Sequence, residues 1–138
     1  MCIRDRPFQF VVLDKSNLVQ QVSEISVGIN GFSPVIPVIV VLVSKSRAYF
    51  EHERHLLYID GALAAMSFMY ALETMGLSSC PINWPDKKES HDRMAKLLRL
   101  ALDERVIMLM TVGYADPEGM IAYSQRNSLD MARKYNLI

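Results

Sequence analysis

The stretch that decides the fold is GALAAMSFMYALETMGLSSCPINW, residues 61–84. Its first half is apolar nearly all round and contains no proline, which is typical of a central helix and not of a surface helix. We predict one long helix from about Arg54 to Met75, ended by Gly76 in the position after the C-cap. Side-chain bulk is missing early in this helix, which would let another helix approach closely. The small residues are Gly61, Ala62, Ala64 and Ala65.

The second half, GLSSCPINW, runs from Gly76 to Trp84. Small residues followed by a proline predict a tight, rigid turn where the helix leaves the core. No base or cation stands beside Cys80 in the sequence to activate its thiol, so a small buried filler is the favoured interpretation. The turn therefore offers rigid main chain and no obvious nucleophile.

Three strands are predicted outside this stretch, at FQFVVL (8–13), VIPVIVVLVS (35–44) and RVIMLMTVGY (105–114). Shorter helices are expected over 18–25, from Pro85 onward and over 128–135. The order predicts helices and strands mixed around one sheet, an α+β fold. Three strands make a thin sheet for so much apolar helix. Either further strands or a partner chain must complete the core.

The bulk composition excludes several classes of function. With 138 residues, 51% hydrophobic and 22% charged, the chain is expected to form one globular domain. Its zero net charge gives no indication of binding to nucleic acid or to an anionic membrane. The two cysteines and three histidines show no metal-ligand spacing, and we expect a reducing, cytoplasmic location. The longest apolar run, twelve residues, is too short to span a bilayer.

The first six residues, MCIRDR, do not fit the pattern that follows them. They are mostly polar and lead directly into Pro7 and the first strand, with no element before them. We expect residues 1–6 to be a non-native leader, residues 7–138 to form a single domain, and the native N-terminal segment to be missing.

Four segments in this order resemble the nitroreductase family of FMN-dependent oxidoreductases: RPFQFVVLD (6–14), PVIPVIVVLVS (34–44), DGALAAMSFMYALETMGLSSCPIN (60–83) and DERVIMLMTVGYADPE (103–118). The resemblance implies a mostly antiparallel central sheet flanked by helices. It also implies a homodimer with FMN at the subunit interface and the long central helix packed against its mate. The N-terminal helices of the family would be missing from this chain.

The activity that the resemblance implies is hydride transfer from NAD(P)H through flavin N5 to an electron-poor acceptor, such as a nitroaromatic, a quinone or an activated alkene. No protein side chain is then needed as a catalytic residue, and no metal is expected. Two alternatives stay open. One is a non-catalytic binding or dimerisation module with this fold, and the other is sibling flavin chemistry such as reductive dehalogenation or azoline dehydrogenation.

The resemblance also implies which residues contact the cofactor. Pro81, Ile82, Asn83 and Trp84 would line the flavin ring, with main-chain groups meeting N5 and O4. Trp84 stands where the family often has glycine, which would narrow the pocket over the ring. Arg126, with Gln125 alongside, would bind the phosphate. The Arg-x-Ser-type motif that the family carries near its N-terminus has no counterpart here.

Overall fold

The computed structural model describes residues 7–29 and 31–136. Its framework is one antiparallel sheet of four strands in the order β1-β2-β4-β3. The strands are β1 (Phe8–Leu13), β2 (Val38–Lys45), β3 (Ser78–Ile82) and β4 (Glu104–Gly113). The α-helices are α1 (Ser16–Ile25), α2 (Leu56–Thr74), α3 (Lys88–Leu98) and α4 (Leu129–Ala132). The predicted α+β class with an antiparallel sheet is confirmed.

The centre of the sheet is the pair of β2 and β4. Six consecutive residues of β2, from Ile39 to Ser44, are buried, as expected for a β-branched strand covered on both faces. Val40 lies opposite Met110 of β4, and the register shifts once, between Leu42 and Val43. This pair therefore forms the floor on which the helices pack.

Each face of the sheet has its own hydrophobic core. On one face, α1 and α3 pack over the sheet, with Val22 and Met94 fully buried beside Leu109. On the other face, α2 contributes a stripe of Leu57, Gly61, Ala65 and Leu72. Its spacing of mainly four residues places these side chains on one side of the helix. The fold is thus three layers, with the sheet in the middle.

Gly61 brings α2 close to the sheet and not to another helix, which corrects the prediction. A Cβ atom built on Gly61 would lie 3.0 Å from Cγ2 of Ile107 in β4. Ile107 is 9% exposed. A larger residue in place of Gly61 would have to displace Ile107 or the helix.

The opposite side of α2 is apolar but uncovered within the described chain. Ile59, Leu63, Met66 and Tyr70 are between 44% and 65% exposed. In the described residues, α2 alone is long and apolar enough to cross a membrane, with a mean hydropathy of 1.3 over 18 residues of which 22% are buried. The long helix predicted from about Arg54 to Met75 is thus found as Leu56–Thr74. One such helix is weak evidence for a membrane, because core helices pass the same test.

Two predictions for the stretch after α2 are wrong. Ser78–Ile82 is a strand and not a turn, because β4 offers it a ladder partner from Ser78↔Gly113 to Ile82↔Leu109. Cys80 is exposed and not buried, since β3 is the last strand of the sheet among the described residues. The predicted helix end at Gly76 is confirmed by its left-handed backbone, with φ of 72°.

The remaining boundaries differ by a few residues. The second strand begins at Val38, because residues 33–35 form a short 3₁₀ turn. The helix expected from Pro85 begins at Lys88, and the one expected over 128–135 is limited to Leu129–Ala132. The prediction of a non-native leader falls on residues 1–6, which lie outside the described residues.

Candidate functional site

The predicted ring-binding residues lie where β3 leaves the sheet. Pro81 is opposite Met110 and Ile82 is opposite Leu109, after which Asn83 and Trp84 continue beyond the last ladder pair. Within the described residues, the main-chain N–H groups of Asn83 and Trp84 donate no hydrogen bond. Two main-chain donors are therefore available to an acceptor bound next to the strand end.

This strand end is held firmly from both directions. Upstream, the N–H groups of Gly76 and Leu77 donate to the carbonyls of Glu73 and Leu72 at 3.1 and 3.0 Å, closing the end of α2. Along β3, Ile82 is 7% exposed and belongs to the core that α1 and α3 cover. Pro81 adds a fixed φ angle. The donors of the next two residues are thus positioned by backbone and core, without any flexible side chain.

Trp84 is half-buried and packs against the α1–α3 core. Its indole also forms a wall of a cavity of about 310 Å³. We call this the strand-end cavity. It is lined by residues 84–88, by His91 and Asp92 of α3, by residues 105–107 of β4 and by Tyr58 of α2. Trp84 therefore belongs both to the strand end and to the lining of the cavity.

Arg105 and His91 face each other in the strand-end cavity. Nη1 of Arg105 lies 3.2 Å from Nε2 of His91 and donates to the carbonyls of Leu102 at 2.9 Å and Glu104 at 3.0 Å. Burial, and then the positive charge of Arg105, lower the pKa of His91 below its ordinary value of 6.5. The lowered pKa favours the neutral imidazole of His91, which is the form that can accept from Arg105.

The other charged pair at the cavity is Lys88 with Asp92, four residues apart on α3. The hydrogen bond from Lys88 is the main cause that lowers the pKa of the Asp92 carboxyl. The two charges compensate each other. Within the described residues, no ion pair involves the two other charged side chains of the α3 entry, those of Asp86 and Lys87.

A comparison with protein families identifies the chain at this point. The model of the nitroreductase family matches residues 6–114, which include all four strands and the strand end. The chain belongs to the nitroreductase family. A search of curated proteins finds no match.

Solved nitroreductase structures share the fold at low sequence identity. An FMN-dependent nitroreductase from Clostridium difficile aligns with a TM-score of 0.79 and 18% identity, covering 97% of this chain and 78% of that protein. A nitroreductase family protein from Streptococcus pneumoniae gives 0.72 and 20% identity, over 94% and 79% of the two chains. The Bacillus megaterium protein NfrA2 gives 0.81 and 15%, over 99% and 60%. At these identities the likeness shows the fold alone.

The residues predicted to bind the flavin phosphate are not brought to the strand end of this chain. Gln125 and Arg126 lie in an exposed segment after β4 that has no regular structure up to Ser128. Within the described part of the chain, neither side chain makes a hydrogen bond or an ion pair. Their role in cofactor binding stays a prediction.

Sequence reasoning missed the pairing of Arg105 with His91. The two residues are fourteen positions apart, and no local spacing in the sequence predicts their contact. It arises because α3 starts beside the first residues of β4. It also missed the hydrogen bond from Tyr49 Oη to Asp60 Oδ2, at 2.8 Å, which connects α2 to the segment before it.

Proposed function

We propose that this nitroreductase-family chain is an FMN-dependent oxidoreductase that passes a hydride from NAD(P)H through flavin N5 to an electron-poor acceptor. The observation that supports the proposal is the pair of free main-chain N–H groups at Asn83 and Trp84. They lie at the end of a strand that Pro81 and the buried Ile82 hold in position, so these donors are already placed when a ring with acceptor atoms binds. Among the described residues, no group of histidine, cysteine and carboxylate side chains could hold a metal ion.

The chain's own contribution is position and electrostatics. The N–H groups of Asn83 and Trp84 would donate to the N5 and O4 side of the ring, and Pro81 with Ile82 would support its face. When bound, FMN supplies the hydride chemistry itself. No side chain at the strand end is then required as a nucleophile. Gln125 and Arg126 would contact the phosphate of FMN only if residues 115–128, which follow β4, packed against the bound cofactor.

Flavin uptake tests this function most directly. The purified chain is mixed with FMN, desalted and scanned for flavin absorbance, with riboflavin as the phosphate-free comparison. We expect FMN to stay with the protein and to be bleached by NADH or NADPH in stopped flow. Reoxidation by a nitroaromatic, a quinone and an activated alkene then ranks the acceptors. A chain that takes up no FMN at any concentration tested would refute the proposal.

We further propose that a second copy of the chain covers the exposed face of α2. The face is apolar at Ile59, Leu63 and Met66, while the hydroxyl-bearing Tyr70 lies on the same side. Such a mixture suits a protein interface better than lipid. The exposed segment of residues 115–128 gives the partner a second surface. A dimer would also bury more apolar helix surface, as expected if a partner chain completes the hydrophobic core.

Oligomeric state tests this second proposal. Leu63 is 65% exposed at the middle of the face, and Leu63→Glu places a charge there. We expect light scattering after gel filtration to show a dimer for the parent chain and a monomer for Leu63→Glu. The control is Leu102→Glu, because Leu102 is 88% exposed and lies outside α2. A parent chain that is monomeric throughout the micromolar range would overturn the proposal.

A second candidate function is a non-catalytic binding or dimerisation module of the same fold. The position of Gln125 and Arg126 in an exposed segment favours it, because these two residues assemble no phosphate site there. Reductive dehalogenation is a further candidate within the enzyme class, which a halogenated aromatic added to the acceptor panel would distinguish. In either case we propose a cytoplasmic protein whose partners are a second copy and small molecules, without nucleic acid or membrane, in keeping with its zero net charge.

A further inference from the structure

We propose that the strand-end cavity is an anion subsite that holds the carboxylate or phosphate group of the small molecule reacting next to Asn83 and Trp84. The identity of that molecule as donor or acceptor rests on the proposed function, whereas anion binding by the cavity does not. The subsite uses residues of α3 and β4 that the flavin-ring contacts leave unused.

The charges around the cavity favour an anion. Its lining contains the cations Lys87, Lys88 and Arg105 against two carboxylates, Asp86 and Asp92. Lys88 and Asp92 compensate each other in their ion pair. The remaining groups leave an excess of positive charge, and Arg105 carries a delocalised guanidinium suited to carboxylate or phosphate.

Arg105 is held in position with donors to spare. Its three hydrogen-bond contacts, with Leu102 O, Glu104 O and His91 Nε2, all involve Nη1. Within the described residues, Nε and Nη2 make no hydrogen bond. These two groups are adjacent on the guanidinium and present the fork that binds an anion with two oxygens. A guanidinium already fixed at one end loses little freedom when it binds.

The walls of the cavity favour a small planar molecule. Trp84 and Tyr58 provide aromatic surface, and residues 105–107 of β4 complete the lining on the side of the sheet. The volume of about 310 Å³ is near the lower end of small-molecule sites, which span roughly 300–1,000 Å³. A single ring with one anionic group fits this volume, whereas a complete dinucleotide does not.

Trp84 makes the subsite directly observable, because it is the sole tryptophan of the chain. The FMN-free protein is titrated with benzoate, with inorganic phosphate and with neutral benzamide at constant ionic strength, and Trp84 fluorescence is recorded. We expect saturable changes with an anion and much weaker binding of benzamide. Saturation by benzoate alone assigns the subsite to the carboxylate of an acceptor, saturation by phosphate alone assigns it to a nucleotide, and saturation by both supports the shared anion site.

Matched variants assign the binding to Arg105. Arg105→Met should lower the affinity for the anion about tenfold or more, as expected for the loss of a charge-assisted hydrogen bond. Arg105→Lys should keep part of the affinity, because it retains the charge without the fork. Arg93→Met is the control, since Arg93 is exposed on α3 and does not line the cavity. Circular dichroism of each variant shows whether it is folded.

Three results would overturn the subsite. Benzamide could bind as tightly as benzoate, Arg105→Met could bind the anions as the parent does, or Arg105→Met could selectively weaken FMN relative to riboflavin. The last result would assign the guanidinium to the cofactor's own phosphate. The failure of the proposed function has a different signature, namely no FMN uptake with anion binding intact.

Discussion

The contact of Gly61 with Ile107 predicts that the usual gain from replacing a helical glycine is lost at this position. In an exposed helix, alanine is about 1 kcal/mol more favourable than glycine. In Gly61→Ala, however, the new Cβ would lie 3.0 Å from Cγ2 of Ile107, closer than ordinary van der Waals contact. Overpacking of a core costs about 1–3 kcal/mol. We therefore expect Gly61→Ala to be destabilising by about 0–2 kcal/mol.

The double variant separates packing from helix propensity. Ile107→Ala alone should cost about 2–5 kcal/mol, because it opens a cavity at a residue that is 9% exposed. Adding Gly61→Ala to it should now recover about 1 kcal/mol or more, since the Cβ enters free space and the helix propensity improves. The two substitutions are thus expected to be coupled by about 1–3 kcal/mol.

The assay is urea unfolding, followed by circular dichroism at one fixed protein concentration so that any association stays constant. Ala62→Gly, on an exposed position of the same helix, measures the propensity effect alone and should cost about 1 kcal/mol. If Gly61→Ala stabilises the chain by the full propensity gain, or if the two substitutions are additive, the close approach of α2 to β4 is not the constraint described here.

Three further predictions concern single side chains. Gly76→Ala should destabilise the chain by about 1 kcal/mol, because Gly76 has a φ of 72°. Gly31→Ala is the control and should be near neutral, since nothing lies within 4 Å of its Cβ position. The two variants are compared by their urea unfolding midpoints. Met94→Ala should cost about 2–5 kcal/mol, because Met94 is fully buried between α3 and the sheet, and an unchanged urea midpoint would contradict this. His91 has a lowered pKa when folded, so its contribution to stability is complete above its unfolded pKa near 6.5 and is lost as the pH falls toward its folded pKa. In His91→Gln, unfolding midpoints measured from pH 7.5 to 5 should fall less than in the parent.

The sequence predicts the strands whose residues would form strands in any context. Phe8–Leu13 is bounded as predicted, but its continuous apolar residues indicated a buried strand, whereas, among the described strands, β1 is an edge strand in which Leu13 alone is buried. β3 could not be predicted in this way, since its serine and proline residues do not favour a strand. It forms because β4 lies alongside it. The sequence also did not predict that Gly61 would lie against Ile107 of β4. A small residue indicates a close approach, but it does not indicate from which element.

For the candidate site, the sequence located the stretch and not its surroundings. The role of residues 81–84 stays a prediction from the resemblance, and the structure shows free main-chain donors at Asn83 and Trp84 of this strand end. The cavity beside them joins α3 to β4 through Arg105 and His91, a contact set by tertiary packing. No local pattern contains such information. Gln125 and Arg126 stay predictions, because the structure leaves their segment without contacts.

Pro81 has a consequence for how the sheet can grow. It lies in the middle of β3, whose outer edge carries no further strand among the described residues. An exposed edge invites pairing with other molecules, and a proline interrupts the row of donors that such pairing needs. The residue that stiffens the strand end thereby also protects the chain from edge-to-edge aggregation on this side. Among the described strands, an unprotected sheet edge is left at β1.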